Sequence, residues 1–458
     1  MIDQEALWFN QTSLHKLKDG LLAQFGEFEE LSLIDHRLEL LNNIIVIPDF
    51  WNEVIGAEYS SFPLFADKEE ARAELSGHLD PGSETVTAVV LTRNEERSIH
   101  RCLQSLLNEV DDIVIIDTGS SDATLSIIES IQSPLIHVHH EEWKDDFSAV
   151  RNVGIDKSAG DWIFFIDADE WISRESNGKV KPLIQMFSRF PLKHSLTISP
   201  LIVEKDKSSV VGVKRIFHRA SGIRFFGDVH EEPRKNEDPT LESQENINIE
   251  LKVEHDGYQE DILQSKKKIE RNISLLQKVR KKEPENPRWI YFLVRDGMER
   301  FSADEMEMLF QKGFAFCRVE NYQSSKNYTI PLTRLLLQYR FKQKNFKEVY
   351  RTAEQLEKYH PEDSDALFFS KLARLFELWE EQKRMLQEVV QFRDGQSGNE
   401  YGALHPEGLH IDCLIGALLF ETGMYERAKE YFDFLDSQNV MKPVQEMYQQ
   451  AFSRLREL

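Results

Sequence analysis

Two aspartates with one residue between them, Asp167 and Asp169, end a strongly apolar run that begins at Trp162. An apolar run of this length predicts a buried β-strand, and carboxylates at its end can offer hard oxygen ligands to one divalent ion. The same spacing recurs at Asp363 and Asp365, shortly after a proline, where it predicts only the start of a helix. The strand context therefore favours Asp167 and Asp169 as a metal and nucleotide site over two acids in a strand-end turn.

A second polar cluster, Asp117-Thr-Gly-Ser-Ser-Asp122, ends another predicted strand and precedes a predicted helix. We expect Asp122 to cap that helix and Asp117 to accept a hydrogen bond from a hydroxyl or ring N–H of a ligand. Arg151 and Asn152 lie on a predicted helix that enters the same region. The guanidinium of Arg151 could bind phosphate there, and a surface salt bridge is the alternative for this residue.

A third cluster, Val229-His-Glu-Glu-Pro233, places an imidazole beside two carboxylates. An isolated histidine is more often a hydrogen-bonded polar residue than a ligand. The neighbouring acids favour a metal-ligand role for His230 over that interpretation. The sequence contains no P-loop, dinucleotide-binding glycine motif or zinc-protease motif, so those classes of site have no support.

The scaffold that would position these residues is an α/β domain. Three short β-rich runs, 87–92, 112–117 and 161–167, alternate with amphipathic helical patterns. This alternation predicts a parallel sheet, in which ligands bind beyond the carboxyl ends of the strands. Each run ends there in a polar cluster, the first being Arg93-Asn-Glu95. We expect the chemistry at that edge of the sheet.

The predicted domains are an accessory region at 1–84, the α/β domain at 85–260 and a helical-repeat domain at 261–458. The accessory region would end in a linker at 77–83, which is rich in Gly and Pro.

Apolar residues recur at helical spacing after residue 260, and three similar segments contain Phe346, Trp379 and Tyr425. The first two lie close to one 34-residue tetratricopeptide period apart. Stacked helix pairs form concave surfaces that suit a peptide or another subunit. The basic residues between 266 and 282 predict a solvated helix face.

Composition limits the possible functions. The chain has 458 residues and a formal net charge of -23, which disfavours binding to nucleic acid or to anionic lipid surfaces. Its three cysteines form no C-x-x-C pair, which favours a reducing compartment. The N-terminus lacks the basic start of a signal peptide, and no apolar run is long enough to span a membrane. We therefore expect a cytoplasmic protein that is not inserted into a membrane.

In combination and in this order, these motifs resemble those of family 2 glycosyltransferases of the GT-A fold. The motifs that carry the resemblance are Thr92-Arg-Asn-Glu95, Ile116-Asp-Thr-Gly-Ser-Ser-Asp122, Asp146-Phe-Ser-Ala-Val-Arg-Asn152, Asp167-Ala-Asp169 and Val229-His-Glu-Glu-Pro233.

A narrower resemblance is to the sublancin-type peptide S-glycosyltransferases, which modify glycocin bacteriocins and carry a C-terminal tetratricopeptide-like domain. It rests on Trp143-Lys-Asp-Asp-Phe147, His255-Asp-Gly-Tyr258, Lys268-Ile-Glu-Arg-Asn272 and Glu283-Pro-Glu-Asn-Pro-Arg-Trp289. The resemblance covers residues 85–300 well and implies an α/β GT-A domain followed by an all-α tetratricopeptide-like domain. The N-terminal 84 residues are longer than it leads us to expect.

The resemblance also implies roles for the site residues. Asp117 would hold the uridine of a UDP-sugar, Asp167 the ribose or the metal, and Asp169 with His230 a Mg or Mn ion on the diphosphate. Glu231 would be the general base, with Glu232 as the alternative. The full donor-binding set is Thr92, Asn94, Glu95, Asp117, Arg151 and Asp167.

The implied reaction is an inverting transfer of a hexose from a UDP-sugar to a Cys side chain, or also to Ser, of a ribosomally made bacteriocin precursor peptide. A homodimer is expected from the same resemblance. One alternative is a family 2 enzyme that glycosylates a protein or polysaccharide on oxygen. Another is a repeat-based binding module with an inactive transferase domain, which the intact Asp167, Asp169 and His230 disfavour.

Overall fold

The computed structural model describes residues 7–42, 65–79, 82–190, 192–235, 245–256, 262–319, 325–395 and 404–455. The chain forms two compact units, Met1–Tyr328 and Thr329–Leu458. The apolar segment at 43–48, part of the predicted linker at 80–81 and the Gly-rich segment at 396–403 lie outside the described residues.

The strands of the first unit are β1 Val86–Thr92, β2 Asp112–Asp117, β3 Ile136–His140, β4 Trp162–Asp167, β5 Glu170–Ile172, β6 Leu196–Glu204, β7 Ser209–Val210, β8 Ile216–His218, β9 Arg224–Phe226, β10 Glu232–Arg234 and β11 Glu245–His255. Its helices are α1 Gln11–Phe25, α2 Leu31–Asn42, α3 Lys68–Leu79, α4 Ile99–Leu106, α5 Thr124–Ser130, α6 Phe147–Lys157, α7 Val180–Ser188, α8 Ile262–Lys282, α9 Pro287–Gly297 and α10 Ala303–Arg318.

Nine strands form one mixed sheet in the order β3-β2-β1-β4-β8-β6-β11-β5, with β7 paired to β6. The predicted α/β architecture is confirmed, since β3, β2, β1 and β4 run parallel and alternate with helices. The register sets Thr92 of β1 beside Asp117 of β2, and Leu91 of β1 beside Asp167 of β4. The carboxyl ends that carry the polar clusters therefore meet at one edge of the sheet.

The central strands are buried on both faces because successive side chains point to opposite sides. Ala88 and Val90 of β1 pack in a large core with the N-terminal helices, α4 and α7. Val89, between them, packs on the other face with Val150 and Ile155 of α6. Residues 7–42 and 65–79 thus share the core of the sheet, and the start of the predicted linker, residues 77–79, forms the last turn of α3.

The second unit is helical throughout its described residues. Its helices are α11 Thr329–Lys342, α12 Phe346–Tyr359, α13 Ser364–Asp394, α14 Leu409–Glu421, α15 Tyr425–Ser437 and α16 Lys442–Leu455. Each of the helices from α11 to α15 packs against the next along the chain. None of the described helices is long and apolar enough to cross a membrane.

Two of the three predicted repeat segments coincide with helix starts, since α12 begins at Phe346 and α15 begins at Tyr425. Trp379, in the third segment, does not lie at a helix start: it is inside the continuous 31-residue helix α13 and is 39% exposed. Lys383 covers its ring, with Nζ 3.3 Å from the centroid. The helix-start prediction for Asp363 is confirmed, because its carboxylate accepts a hydrogen bond from the amide of Ala366 in the first turn of α13.

A glycine in α6 allows the close packing of this helix on β1. A Cβ atom at Gly154 would lie 2.5 Å from Cγ1 of the fully buried Val89, whereas a Cβ atom at Gly20 in α1 would meet nothing within 4 Å. We expect Gly154→Ala to lower the free energy of unfolding by about 1–3 kcal/mol through overpacking. Gly20→Ala is the matched control and should raise it by about 0.5–1 kcal/mol.

Urea unfolding followed by tryptophan fluorescence measures both changes. Equal midpoints for the two variants would contradict the close packing of α6 on the sheet.

Candidate active site

A cavity of about 780 Å³ opens at the carboxyl ends of β1 and β4. Its lining includes eight residues singled out from the sequence: Thr92, Glu95, Arg151, Asp167, Asp169, His230, Glu231 and Glu232. Asn94 and Asp117 do not line this cavity and lie in the adjoining loops. The sheet edge and the loop after β9 thus bring most of the predicted set together.

Asp167 lies between two arginines. Its Oδ1 accepts a hydrogen bond from Nη2 of Arg151 at 3.1 Å, and its Oδ2 accepts one from Nη2 of Arg215 at 2.7 Å. The same nitrogen of Arg215 donates to Glu170 at 2.7 Å, and Glu170 also accepts the amide of Asp167 at 2.9 Å. The side chain of Arg151 is only 11% exposed. Its salt bridge with Asp167 is therefore buried, in contrast to the surface salt bridge that was the alternative expectation for this residue.

These charges shift the acids in opposite directions. Burial raises the pKa of Asp167, but Arg215 and Arg151 lower it by more, so this carboxyl group stays ionised. Burial raises the pKa of Glu170 to about 7, with Arg215 opposing the shift and the negative charge of Asp167 adding to it. Asp167 is thus a carboxylate whose charge two arginines already balance.

Asp169 has a different partner, His255 at the end of β11. Its Oδ2 lies 3.1 Å from Nε2 of His255, and Nδ1 of the same ring lies 2.8 Å from Oε2 of Glu204. The hydrogen bond to Asp169 is the largest cause that raises the pKa of His255 to about 9. Sequence reasoning assigned no role to His255, although the segment His255-Asp-Gly-Tyr258 is one of those that carry the narrower resemblance.

His230 lies in the loop 227–231 that joins β9 to β10. Its Nε2 is 2.8 Å from Oδ2 of Asp296 in α9, and its ring stacks on Phe292 with centroids 4.1 Å apart. Nη2 of Arg295 is 3.2 Å from the same ring nitrogen. The structure therefore joins His230 to helix α9 and gives Asp169 a different histidine as partner.

The two glutamates after His230 both pair with arginine. Oε1 of Glu231 accepts a hydrogen bond from Nε of Arg151 at 2.5 Å. Glu232 lies between Nε of Arg234 at 2.7 Å and Nη1 of Arg288 at 2.9 Å. Burial raises the pKa of Glu232, but Arg288 and Arg234 lower it by more. With two cationic partners, Glu232 is the poorer proton acceptor of the two.

The loops after β1 and β2 hold each other in place. The carboxylate of Asp117 accepts the amides of Gly119 and Ser120 and lies 3.3 Å from Nδ1 of His140. Asn94 accepts the amide of Ser121 at 2.7 Å.

The N-cap of α5 is Ala123 rather than the predicted Asp122, although Asp122, one residue earlier, accepts the amide of Thr124, the first residue of the helix, at 3.0 Å. Thr92 is 3% exposed and lines the cavity, and its Oγ1 has no hydrogen-bond partner among the described residues.

Cations missed by the sequence analysis complete the cavity wall. Its further basic residues are Arg93, Lys214, Arg215, Lys268, Arg271 and Arg288. The predicted solvated face is confirmed for Lys268 and Arg271 of α8, which are exposed, and both residues also line the cavity. Lys278 and Lys282 bind the buried carboxylate of Asp228 at 3.1 and 2.6 Å. The positions of these cations depend on how α8 and α9 pack against the sheet, which spacing in the sequence does not encode.

The predicted metal ligands Asp167, Asp169 and His230 are not brought together as one set. In the described part of the chain, no group of three His, Cys, Asp or Glu residues could hold a metal ion. Asp169 lines the cavity whereas its partner His255 does not, so Asp169 alone fits a divalent ion, since Mg²⁺ sites commonly use one or two protein ligands together with substrate phosphates. The surrounding cations suit phosphate oxygens, in a chain whose net charge is otherwise strongly negative.

Arg215 is expected to stabilise the site because it pairs with two carboxylates in a buried position. Arg215→Ala leaves Asp167 and Glu170 without this partner, so we expect the free energy of unfolding at pH 7 to fall by about 3–5 kcal/mol. The folded pKa of Asp167 lies below its unfolded value. Its stabilising contribution is therefore present above about pH 4 and is lost at lower pH.

The difference between wild type and Arg215→Ala should accordingly shrink below pH 4 in denaturant titrations. Arg93→Ala is the control, since Arg93 lines the same cavity but is exposed, and its effect should stay within about 0.5 kcal/mol. Equal effects of the two substitutions would contradict the buried network.

Comparisons with known proteins show which proteins the chain is similar to. Residues 87–194 match the family model "Glycosyl transferase family 2". The SPbeta prophage-derived glycosyltransferase SunS of Bacillus subtilis is 27% identical over 374 residues, which cover 81% of this chain and 85% of that protein. A TPR repeat-containing protein of Synechococcus elongatus is 32% identical over 148 residues, 32% of this chain and 34% of that protein.

Among solved structures, S. aureus TarS 1-349 in complex with UDP-GlcNAc is 14% identical and covers 60% of this chain and 92% of its own. Its TM-score of 0.34 is too low to support an argument about this chain. The family model and the similarity to SunS, together with the strand-end cavity, lead to one conclusion. The chain carries a glycosyl transferase family 2 domain within its α/β sheet, followed by a helical tetratricopeptide-like region, and is similar to the glycosyltransferase SunS along most of its length.

Proposed function

We propose that this enzyme transfers a hexose from a UDP-sugar to a Cys side chain, or also to Ser, of a ribosomally made bacteriocin precursor peptide, with inversion at the anomeric carbon. One observation carries the donor part of the proposal: seven basic residues line the cavity beside Asp167 and Asp169 at the end of β4 and Glu231 in the loop 227–231. A nucleoside diphosphate carries the charge that these cations would balance. The resemblance of the segments 143–147, 255–258, 268–272 and 283–289 to the sublancin-type peptide S-glycosyltransferases supports a peptide acceptor.

The donor would lie along the edge of the sheet. The unpaired Oγ1 of Thr92 and the loops of Asn94 and Asp117 adjoin the end where the nucleoside fits. Glu95 lies in the same wall, and burial raises the pKa of its carboxyl group. At this end of the cavity, hydroxyl, amide and carboxyl groups can therefore form hydrogen bonds to a base and a ribose.

The diphosphate would meet the cations and a metal ion held by Asp169. We propose Asp169 as the protein ligand of a Mg or Mn ion, because its carboxylate lines the cavity and the substrate phosphates and water can complete the coordination. Such an ion, when bound, balances the charge that builds up on the departing UDP. Asp167 instead orients Arg151 and Arg215, and Lys268 and Arg271 approach from helix α8.

Glu231 is the proposed general base. In the reaction, the acceptor sulfur forms a bond to the anomeric carbon on the face opposite UDP, the bond from that carbon to the phosphate oxygen breaks, and Glu231 takes the thiol proton. Oε1 of Glu231 already accepts a hydrogen bond from Arg151. A thiol with an ordinary pKa near 8.5 needs only modest help from a base, whereas an alcohol needs much more. A thiol acceptor is therefore the less demanding one for this site.

A competition between matched acceptors tests the proposal. The full chain is incubated with Mn²⁺, with UDP-glucose or UDP-GlcNAc, and with a synthetic loop peptide that has one Cys or its Cys→Ser counterpart. Mass spectrometry of the peptide and UDP release measure transfer. We expect kcat/KM to be at least about tenfold higher for the Cys peptide, because general-base assistance to oxygen is the costlier step.

Glu250→Gln is the control for the enzyme, since Glu250 is exposed on β11 outside the cavity. Equal or faster transfer to Ser, or transfer to a polysaccharide alone, would replace the proposal by the O-glycosyltransferase alternative. Failure of UDP to inhibit any transfer would contradict the donor assignment.

We also propose a homodimer formed through helix α13. Two rows of exposed apolar side chains at seven-residue spacing run along this helix: Phe368 with Leu375, and Leu378 with Met385 and Phe392. Such spacing is typical of a seam between paired helices. In an antiparallel pairing of two copies centred near residue 380, Phe368 would face Phe392 of the other copy, and Glu377 would face Lys383, which are complementary contacts.

The substitution Leu375→Glu with Leu378→Glu should therefore halve the mass measured by sedimentation. Phe434→Ser removes an equally exposed aromatic residue from α15 and should leave the dimer intact. A monomeric wild-type chain, or a doubly substituted chain that still dimerises, would contradict this surface.

A further inference from the structure

The loop 227–231 carries the proposed base in a backbone conformation that needs support. His230 has φ of 50°, and Gly227 has φ of 105°. A left-handed backbone at a residue other than glycine is costly, by about 1–3 kcal/mol where it is strained, and persists only where surrounding contacts fix it. The contacts that fix His230 therefore bear on where the next residue, Glu231, points.

Those contacts come from helix α9. Asp296 binds Nε2 of His230 at 2.8 Å, Phe292 stacks on the ring, and Nη2 of Arg288 donates to the carbonyl of His230 at 2.7 Å. The side chain of Asp296 is only 9% exposed, and Asn272 of α8 also approaches it at 3.4 Å. The imidazole is thus held on its face, at one nitrogen and through its own backbone.

Helix α8 fixes the start of the same loop. The carboxylate of Asp228 is buried between Lys278 and Lys282 of this helix. Trp289 of α9 adds a second contact: its ring lies 2.6 Å from the position that a Cβ atom would take at Gly227. Both ends of the loop are therefore set by helices that follow the sheet in the sequence.

The surroundings of His230 do not suit a metal ligand. Nη2 of Arg295 lies 3.2 Å from Nε2 and 3.5 Å from Nδ1 of the ring. A divalent cation on either ring nitrogen would lie next to the positive charge of Arg295. A cation on Nε2 would also compete with Asp296. The carboxylate of Asp169 meanwhile has His255 as its histidine partner.

We propose that His230 and Asp296 are positioning residues: their contact holds the left-handed turn at His230 so that Glu231 faces Arg151 and the cavity. This inference rests on the proposed function in which Glu231 takes the proton of the acceptor. The role is independent of metal binding, so substitution of His230 should affect transfer without affecting the affinity for metal and nucleotide.

The test compares two substitutions of His230 in the full chain. Asparagine adopts the left-handed conformation and its amide can donate to Asp296, whereas valine does neither. We expect His230→Val to lower kcat by about 10²–10³-fold, close to the effect of Glu231→Gln. His230→Asn should recover at least about a tenth of the wild-type kcat. Asp304→Asn, an exposed aspartate in α10, is the control and should change nothing.

Metal binding is read independently of activity, as the free Mn²⁺ signal in electron paramagnetic resonance with UDP present. We expect wild type, His230→Asn and His230→Val to bind Mn²⁺ and UDP equally. If both variants weaken Mn²⁺ binding by 10-fold or more, or if His230→Asn is as slow as His230→Val, the positioning role is wrong. Full activity of Glu231→Gln would instead refute the proposed base. A low kcat of His230→Val could then not be explained by the position of Glu231, and the positioning role would fall with the base.

Discussion

The buried charge network around Asp167 is the interaction on which the rest of the site depends. Arg151 comes from α6, Arg215 from the residue before β8, and Glu170 from β5, so one carboxylate at the end of β4 ties three other elements together. Removing water from these groups is costly unless every charge finds a partner. The network therefore fixes the relative positions of the strand ends, and through Arg151 it reaches the proposed base Glu231.

This constraint explains why the site includes helices that follow the sheet. Cationic side chains of α8 and α9 line the cavity, and Trp289 of α9 packs on Gly227 in the loop that bears the proposed base. Arg234 of β10 pairs in turn with Glu283, which accepts a hydrogen bond from Nε1 of Trp289. The first compact unit extends accordingly to Tyr328. A chain cut near residue 284 would lose contacts that shape the active site, as well as any surface for an acceptor.

Part of this arrangement could be predicted from the sequence. The alternation of strands and helices placed Thr92, Asp117 and Asp167 at one edge, and the register of β1 with β2 and β4 confirms it. Local patterns carry such information because they depend on residues close together in the chain. The partner of Asp169 is different, because His255 is 86 residues away and reaches it only through the pairing of β11 with β5 and β6. Repeat spacing likewise did not predict that α13 continues through Trp379. The helix continues there because no residue in this segment ends it.

The central claim is that strand-end carboxylates and cations of helix α8 form one site for a nucleoside diphosphate. Calorimetric titration of the full chain with UDP in the presence of Mn²⁺ tests it most directly, with Lys268→Ala and Arg271→Ala combined as the variant. Both residues line the cavity from α8. The account predicts one UDP per chain for the wild type and affinity at least about tenfold weaker for the variant, since each charged contact to phosphate is worth about 1.5–3 kcal/mol when removed. Unchanged UDP affinity in the variant, or no UDP binding by the wild type, would contradict it.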